Sequence, residues 1–568
     1  MQAALLGFAL QIGFAALPPR PPQARDAGTA VDSIRDLKRA HAAQARFEFV
    51  RRNNLPERSG SDGRCDVHLG RFCWWYDEIP PTLPAESKSV ARRRDELLAT
   101  LDSLGDLHPG DHWIVGMRVH YRIDGGNAAA ADTVARDCRA ASWWCSALTG
   151  YADHVLGQAV AAETAFVDAF GAMPESERCA WRDISTLLPS KARDRYEKLS
   201  CTARAPIEAR YWLLSRPQLG TPANEWRTEF YVRRVQARLA ERATNPQPGG
   251  WGNDAAELLL RYGWPMGWSR VASSPYAASP PSVIGHDPVP SFAFAPTIDL
   301  LDSLASATDA AWKLQEHLAE SRFAPRLVHR VAPVAAQFAR FRRGDSTLLV
   351  AAYAVRDDSL GHSAAAAVGA TVGDGRTFIA PTADSAGHAK LSLPESPLLA
   401  GVEVADTLTR TLGRARVLYA LGASSPGLAL SDLLLYRSGE SPPASLDSAL
   451  AAAIPGDTIS RARPVGIYWE TYGAADSSQS LDISVTVERI DRSWLRSARQ
   501  RVHLAAPDSP LRLLWSDSRP PEPGGAAVRA VSLDLANLEP GRYRLTVALS
   551  RAGGTPVSSA RELQLGER

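Results

Sequence analysis

Apolar residues repeat every three or four positions through the first half of this 568-residue chain, and every second position through its last third. The first period predicts helices with one buried face, the second half-buried strands. From Ala30 to about Leu199 the helical period prevails. Ser87 to Leu104 shows it well, with Val90, Leu97, Leu98, Leu101 and Leu104 on one face before Gly105 and Pro109 punctuate the run. A further helix is expected from Glu225 to Arg242, entered through Asn224 as its N-cap, and another over Asp299 to Ser321. After Arg343-Gly344-Asp345 the period changes to two, starting with Leu348 to Val355 and running to Leu433-Leu434-Leu435. Val465, Ile467 and Trp469, then Ile483, Val485 and Val487, then Tyr543, Leu545, Val547 and Leu549, alternate with polar or small residues between Gly/Pro turns. That spacing predicts an antiparallel sandwich of immunoglobulin-like type, with Tyr543 as a core or corner tyrosine.

The chain is thus expected to be multidomain, α then β. The predicted order is an apolar N-terminal segment (1–24), a helical domain (25–205), a small α/β module with a Pro/Ser-rich loop (206–344), a β-rich domain (345–440) and a β-sandwich (455–568). Ala3 to Leu17 is uncharged and has the length of a signal-peptide core, too short to span a bilayer. It therefore reads as a secretory signal. Cysteine placement agrees: Cys65, Cys73, Cys138, Cys145, Cys179 and Cys201 all lie in the helical part. An even, clustered set behind an apolar N-terminus predicts disulfide stapling in an oxidising compartment, with sequence neighbours paired as the simplest connectivity. The spacing suits neither zinc nor haem attachment. Net charge is +2, with 64 basic against 62 acidic residues, which argues against nucleic acid as partner. The expected location is secreted or periplasmic.

A 34-residue self-similarity runs through the helical part: Gly116, Ala128 and Ala135 recur as Gly150, Ala162 and Ala169. With Gly157, Phe166 and Pro174, the second copy resembles the tetratricopeptide repeat, although Ser146 and Asp153 stand where that family has Trp and Tyr. Packing explains the pattern: Gly150 and Ala162 are expected to face each other across two antiparallel helices, Phe166 to fill the gap, and Pro174 to end the second helix. The resemblance implies a concave surface for a protein or peptide.

Gly250-Trp251-Gly252-Asn253-Asp254 leads into Leu258-Leu259-Leu260-Arg261-Tyr262, closed by Gly263-Trp264-Pro265. This resembles the GWxTD domain, a module of bacterial envelope proteins, with Asn253 in place of the family Thr and Trp264 in place of a Pro. The resemblance implies an envelope location and an apolar strand after Asp254. It brings no reaction with it. As structure, Asp254 would accept hydrogen bonds from turn amides and Gly263 would take a positive φ. As a site, Asp254 with Arg261, or with an arginine of the preceding helix, would sit in a groove lined by Trp251, Trp264 and Trp268.

No nucleophile elbow, zinc-protease motif, phosphate loop or dinucleotide fingerprint occurs in the sequence. Asp111-His112 and His286-Asp287 are adjacent His–Asp pairs, both expected at turns or surface loops. No catalytic, cofactor or metal residue is therefore nominated. The expected function is non-enzymatic binding of a protein or peptide through the helical array. The alternative is an envelope enzyme, or a glycan or small-ligand binder, using the groove around Trp251 and Asp254.

Overall fold

In the computed structural model the described residues are 24–58, 66–79, 82–247, 251–271, 282–303, 305–355, 364–382, 386–420, 427–473, 480–491, 510–517, 526–551 and 554–566. The apolar run at Ala3 to Leu17, Cys65 and Gly250 lie outside them. Helices begin where the sequence supplies a cap. After α1 (Ala24–Asn53), the helix α2 (Lys88–Leu107) starts at Ser87, whose hydroxyl accepts a bond from the Val90 amide. Asp111 opens α3 (His112–Asp124) by accepting from the Trp113 and Ile114 amides, both at 2.9 Å. Between α1 and α2 the chain forms a short strand β1 (Glu57–Arg58) and a hairpin, β2 (Val67–Leu69) with β3 (Phe72–Trp74).

After α4 (Ala128–Arg136), α5 (Ser142–Leu156) turns through Gly157, at φ +79°, into α6 (Ala159–Ala172). A Cβ on Gly150 would lie 2.9 Å from the Phe166 ring, so glycine is what lets the two helices close. The side chain nearest to Gly150 is Phe166, and Ala162 and Ala169 are fully buried. Pro174 directly precedes α7 (Glu175–Arg182), and α8 (Ser190–Glu197) and α9 (Cys201–Leu214) complete the run. Disulfides join Cys138 to Cys145 and Cys179 to Cys201; Cys73 is also disulfide-bonded. Among the described residues, no helix is long and apolar enough to cross a membrane.

The expected arginine-rich helix is α10 (Glu225–Ala240), capped by Asn224, and it packs along α5 with further contacts to α3 and α6. Gly116 leaves room for Leu239, Phe166 packs on Tyr231 with ring centroids 5.4 Å apart, and Gln236 donates to Tyr151. The face that α5 turns inward is therefore covered by the chain itself.

Three expectations for the following segment are corrected. Residues after Trp251 form a helix, α11 (Asn253–Tyr262), not a strand. Ala255, Leu259 and Tyr262 are buried at helical intervals, and this period overrides the three consecutive leucines. The Pro/Ser-rich stretch of the 206–344 module, expected to be a loop, contains β5 (Ser282–His286), antiparallel to β4 (Gly267–Val271), which in turn pairs in parallel with β1. Asp299 to Ser321 is mostly irregular, with only α12 (Asp299–Asp302) and a 3-10 turn at Asp309–Ala311. Here backbone carbonyls serve the neighbouring segment instead of a helix: Leu314 accepts from Ala293 N, and Ala311 from Thr297 N, at 2.9 Å each.

The β region begins before Ser346, at β6 (Arg330–Arg343). With β7 (Ser346–Val355), β8 (Ala364–Thr371), β9 (Thr377–Thr382), β10 (Ala386–Pro394), β11 (Leu398–Asp406) and β12 (Thr411–Tyr419) it makes one sheet in the order β10-β7-β6-β12-β11-β8-β9. The sheet curls until β10 meets β8 and β9 around Leu349, Leu391 and Val402. Farther on, the strand Val465–Tyr472 pairs with Leu434–Arg437 and with Ala526–Leu533. A second sheet holds Leu481–Arg489, Leu511–Asp517, Gly541–Arg551 and Val557–Leu565. The two sheets enclose Trp469, Val485 and Leu545, and the Tyr543 hydroxyl donates to Glu539 O at 2.9 Å across the corner. Helical front and curled sheet are joined by a buried contact: Glu403 pairs with Arg416 at 3.0 Å and accepts from the amides of Leu219 and Gly220 at 2.8 and 2.9 Å.

Candidate functional site

Arg233 of α10 organises the end of α11. Its guanidinium donates to the carbonyls of Leu260, Arg261 and Arg322 at 3.1, 2.8 and 3.0 Å, and its Nε to Glu229 at 2.7 Å. Gly263 follows at φ +94°, where a Cβ would stand 3.1 Å from that guanidinium. This close approach swings Trp264 and Pro265 outward from α11. Trp264 then lies in the walls of three adjoining cavities, of about 740, 300 and 450 Å³.

The largest cavity lies between the helical front and the β4–β5 ribbon. Its polar wall comes from α1, α2, α3, α5 and α10. Asp124 takes Arg51 at 2.6 Å and Arg94 at 2.9 Å, and Arg94 also binds Glu86. Against the cost of burial, Arg51 and then Arg94 hold the Asp124 carboxyl below its ordinary range. Behind Arg51, burial pushes Glu48 up to about 7, while Tyr121 donates to it at 2.8 Å. His120 is buried and pushed down to about 4 by that burial, so it is neutral at physiological pH. Its Nδ1 is 3.3 Å from the Tyr151 hydroxyl, and its ring stands edge-on to Trp264 with centroids 5.2 Å apart. His154 meets Glu229 at 3.0 Å through Nε2 and Thr228 at 2.9 Å through Nδ1. Burial opposes ionisation of Glu229, but Arg233 and His154 hold it at about 2.

The smallest cavity is aromatic. Phe72, Trp74, Trp75, Trp251, Trp264 and Trp268 line it, with Arg71 and Asp287 as its charged members. Trp264 and Trp268 meet at 76° with centroids 5.8 Å apart, and Trp74 stacks flat on Tyr262 at 3.8 Å. Trp74 Nε1 donates to Asp287 Oδ2. Asp287 also lines the third cavity, and burial raises it to about 7 against the pull of that indole.

The structure thus gathers part of the motif and disperses the rest. Trp251, Gly263, Trp264 and Pro265 line one cavity, and Tyr262 supports it through Trp74. Asp254 does not join them: its Oδ2 accepts from Arg71 N at 3.3 Å, beside Gly70 at φ +56° in the hairpin turn. Arg261 pairs with Glu257 at 2.7 Å and Glu320 at 2.9 Å, so the expected Asp254–Arg261 centre is not assembled. The expectation of surface loops fails for His286 and Asp287. His286 is fully buried against Ser269 and Asp77, and Asp287 is in the cavity wall. His120, Tyr151, His154 and Glu229 come from helices far apart in sequence, and no local pattern announces them.

No family model and no curated protein matches this chain. Among solved structures, a crystal structure of red sea bream transglutaminase is similar to it at 9% identity and TM-score 0.13, over 41% of this chain and 32% of that one. A likeness at that level says nothing of this chain's chemistry.

Proposed function

We propose that this chain is an extracytoplasmic binding protein for a small organic ligand, held where the helical array meets a GWxTD-like module. The observation that carries the reading is Trp264, an aromatic side chain set in the walls of three adjoining cavities. Cavities of about 300–1,000 Å³ with apolar walls and a few convergent polar groups are the usual form of a ligand site. Arg51 and Arg94 of the largest cavity are held in ion pairs on Asp124, and His154 is held on Glu229 through Nε2, which suits holding a ligand more than proton transfer. Two disulfides, Cys138–Cys145 and Cys179–Cys201, support a location outside the cytoplasm. A peptide site on the concave side of the repeats is the weaker reading, because α10 lies along α5.

The test is a thermal-shift screen of sugars, amino acids, nucleosides and organic cations against the full chain and Trp264→Ala. A ligand at about 100 times its Kd adds roughly 2.7 kcal/mol of stability. We expect at least one compound class to raise the melting temperature of the parent but not of the variant. Hits that stabilise both proteins equally would move the site elsewhere.

A further inference from the structure

We propose that the small tryptophan-walled cavity binds an organic cation carrying a methylated ammonium group. This rests on the ligand-binding reading above and names the chemistry of one of its compartments. Five tryptophans and Phe72 supply the wall, and the π-face of an indole is the strongest side-chain attractor of a cation. Tyr262 stacks on Trp74 at 3.8 Å, and Trp264 and Trp268 meet at 76°, so the rings of the wall do not all lie in one plane. Methyl groups on nitrogen spread a positive charge over an apolar surface, which needs aromatic faces and few hydrogen-bond partners. A sugar of the same size would need partners for several hydroxyls. Besides the indole N–H groups, this wall offers Gln247, Asp287 and Arg71 as polar side chains among the described residues.

Charge complementarity points the same way. Asp287 is the carboxyl in the wall, oriented by Trp74 Nε1. Arg71 is exposed, its guanidinium 5.0 Å from the Phe72 centroid, so a protein cation already rests on one of these rings at the rim. Burial raises Asp287 to about 7; a cation within the walls would favour its ionised form and bring that value down. A volume of about 300 Å³ sits at the small end of ligand cavities and fits a head group rather than an extended chain.

The experiment compares choline with 3,3-dimethyl-1-butanol, its uncharged isostere, and with a methyl glycoside. Each is titrated calorimetrically into the full chain, Asp287→Asn and Trp251→Leu at pH 8. Choline should bind at least about 10-fold more tightly than the isostere, the range of a desolvated cation–π contact. Both variants should narrow that ratio, with Asp287→Asn melting no lower than the parent. Vesicles of phosphatidylcholine, with phosphatidylglycerol as control, then separate the sources. Co-sedimentation with the former alone identifies a lipid headgroup, and its absence beside choline binding identifies a free solute. Equal affinity for choline and its isostere, or no choline binding, overturns the proposal. If the glycoside or a screened compound still binds in a Trp264-dependent way, only the cation is lost. If nothing in the screen binds, the broader reading falls with it.

Discussion

His120 and Asp287 sit in neighbouring walls yet are driven in opposite directions by the same burial, and each gives stability a pH dependence of definite sign. His120 is depressed from 6.5 to about 4, so its contribution is present above 6.5 and is lost as pH falls toward 4. His120→Gln should therefore melt lower than the parent at pH 7.5 and lose less between pH 6.5 and 4. Asp287 is raised from 3.8 to about 7, so its contribution is present below 3.8 and is lost as pH rises through 7. Asp287→Asn should gain on the parent as pH goes from 5 to 8. Melting curves of both variants across this range check the two signs together. Gly150 tests packing instead: a Cβ there would be 2.9 Å from the Phe166 ring, and Gly150→Val should cost about 1–3 kcal/mol in urea unfolding.

Helices are where sequence and structure agree best, because their caps are local. Ser87, Asp111 and Asn224 each stand one residue before a helix and bond its first turn. The same locality fails for α11, where Leu258-Leu259-Leu260 looks like a strand until Ala255 and Tyr262 are counted, and for β5, hidden in a Pro/Ser-rich stretch. A short strand such as β5 exists because β4 lies beside it, and composition carries no record of that. The disulfides add a prediction at this scale. Cys179–Cys201 closes a separation of 22 residues and Cys138–Cys145 one of 7. In the loop-entropy model, replacing the longer loop's cysteines with alanine should cost about 1 kcal/mol more than replacing the shorter's. Calorimetric or urea unfolding of the two double variants measures the difference.

Across the whole molecule the front and the rear are coupled through Glu403. Its carboxylate, itself buried, binds Arg416 and two amides of the 219–220 turn. Glu403→Ala leaves Arg416 buried without that partner and should destabilise by about 3–5 kcal/mol. The helical part should then become sensitive to proteolysis before the β region, as limited digestion would show. Periodicity alone determined that helices precede strands, because the repeats of 3.6 and 2 are written residue by residue. Pairing of neighbouring cysteines and the packing glycine at 150 were legible for the same reason. The candidate site was legible as far as Trp251, Gly263, Trp264, Pro265 and Trp268, which lie within one short stretch of sequence. Its other walls come from α1, α2, α3, α5, α10, β3 and the residue after β5, whose meeting depends on how whole elements pack. A tertiary contact costs the sequence no local signature, so His120, Glu229 and Asp287 became a set only when α10, α11 and the β4–β5 ribbon closed around Trp264.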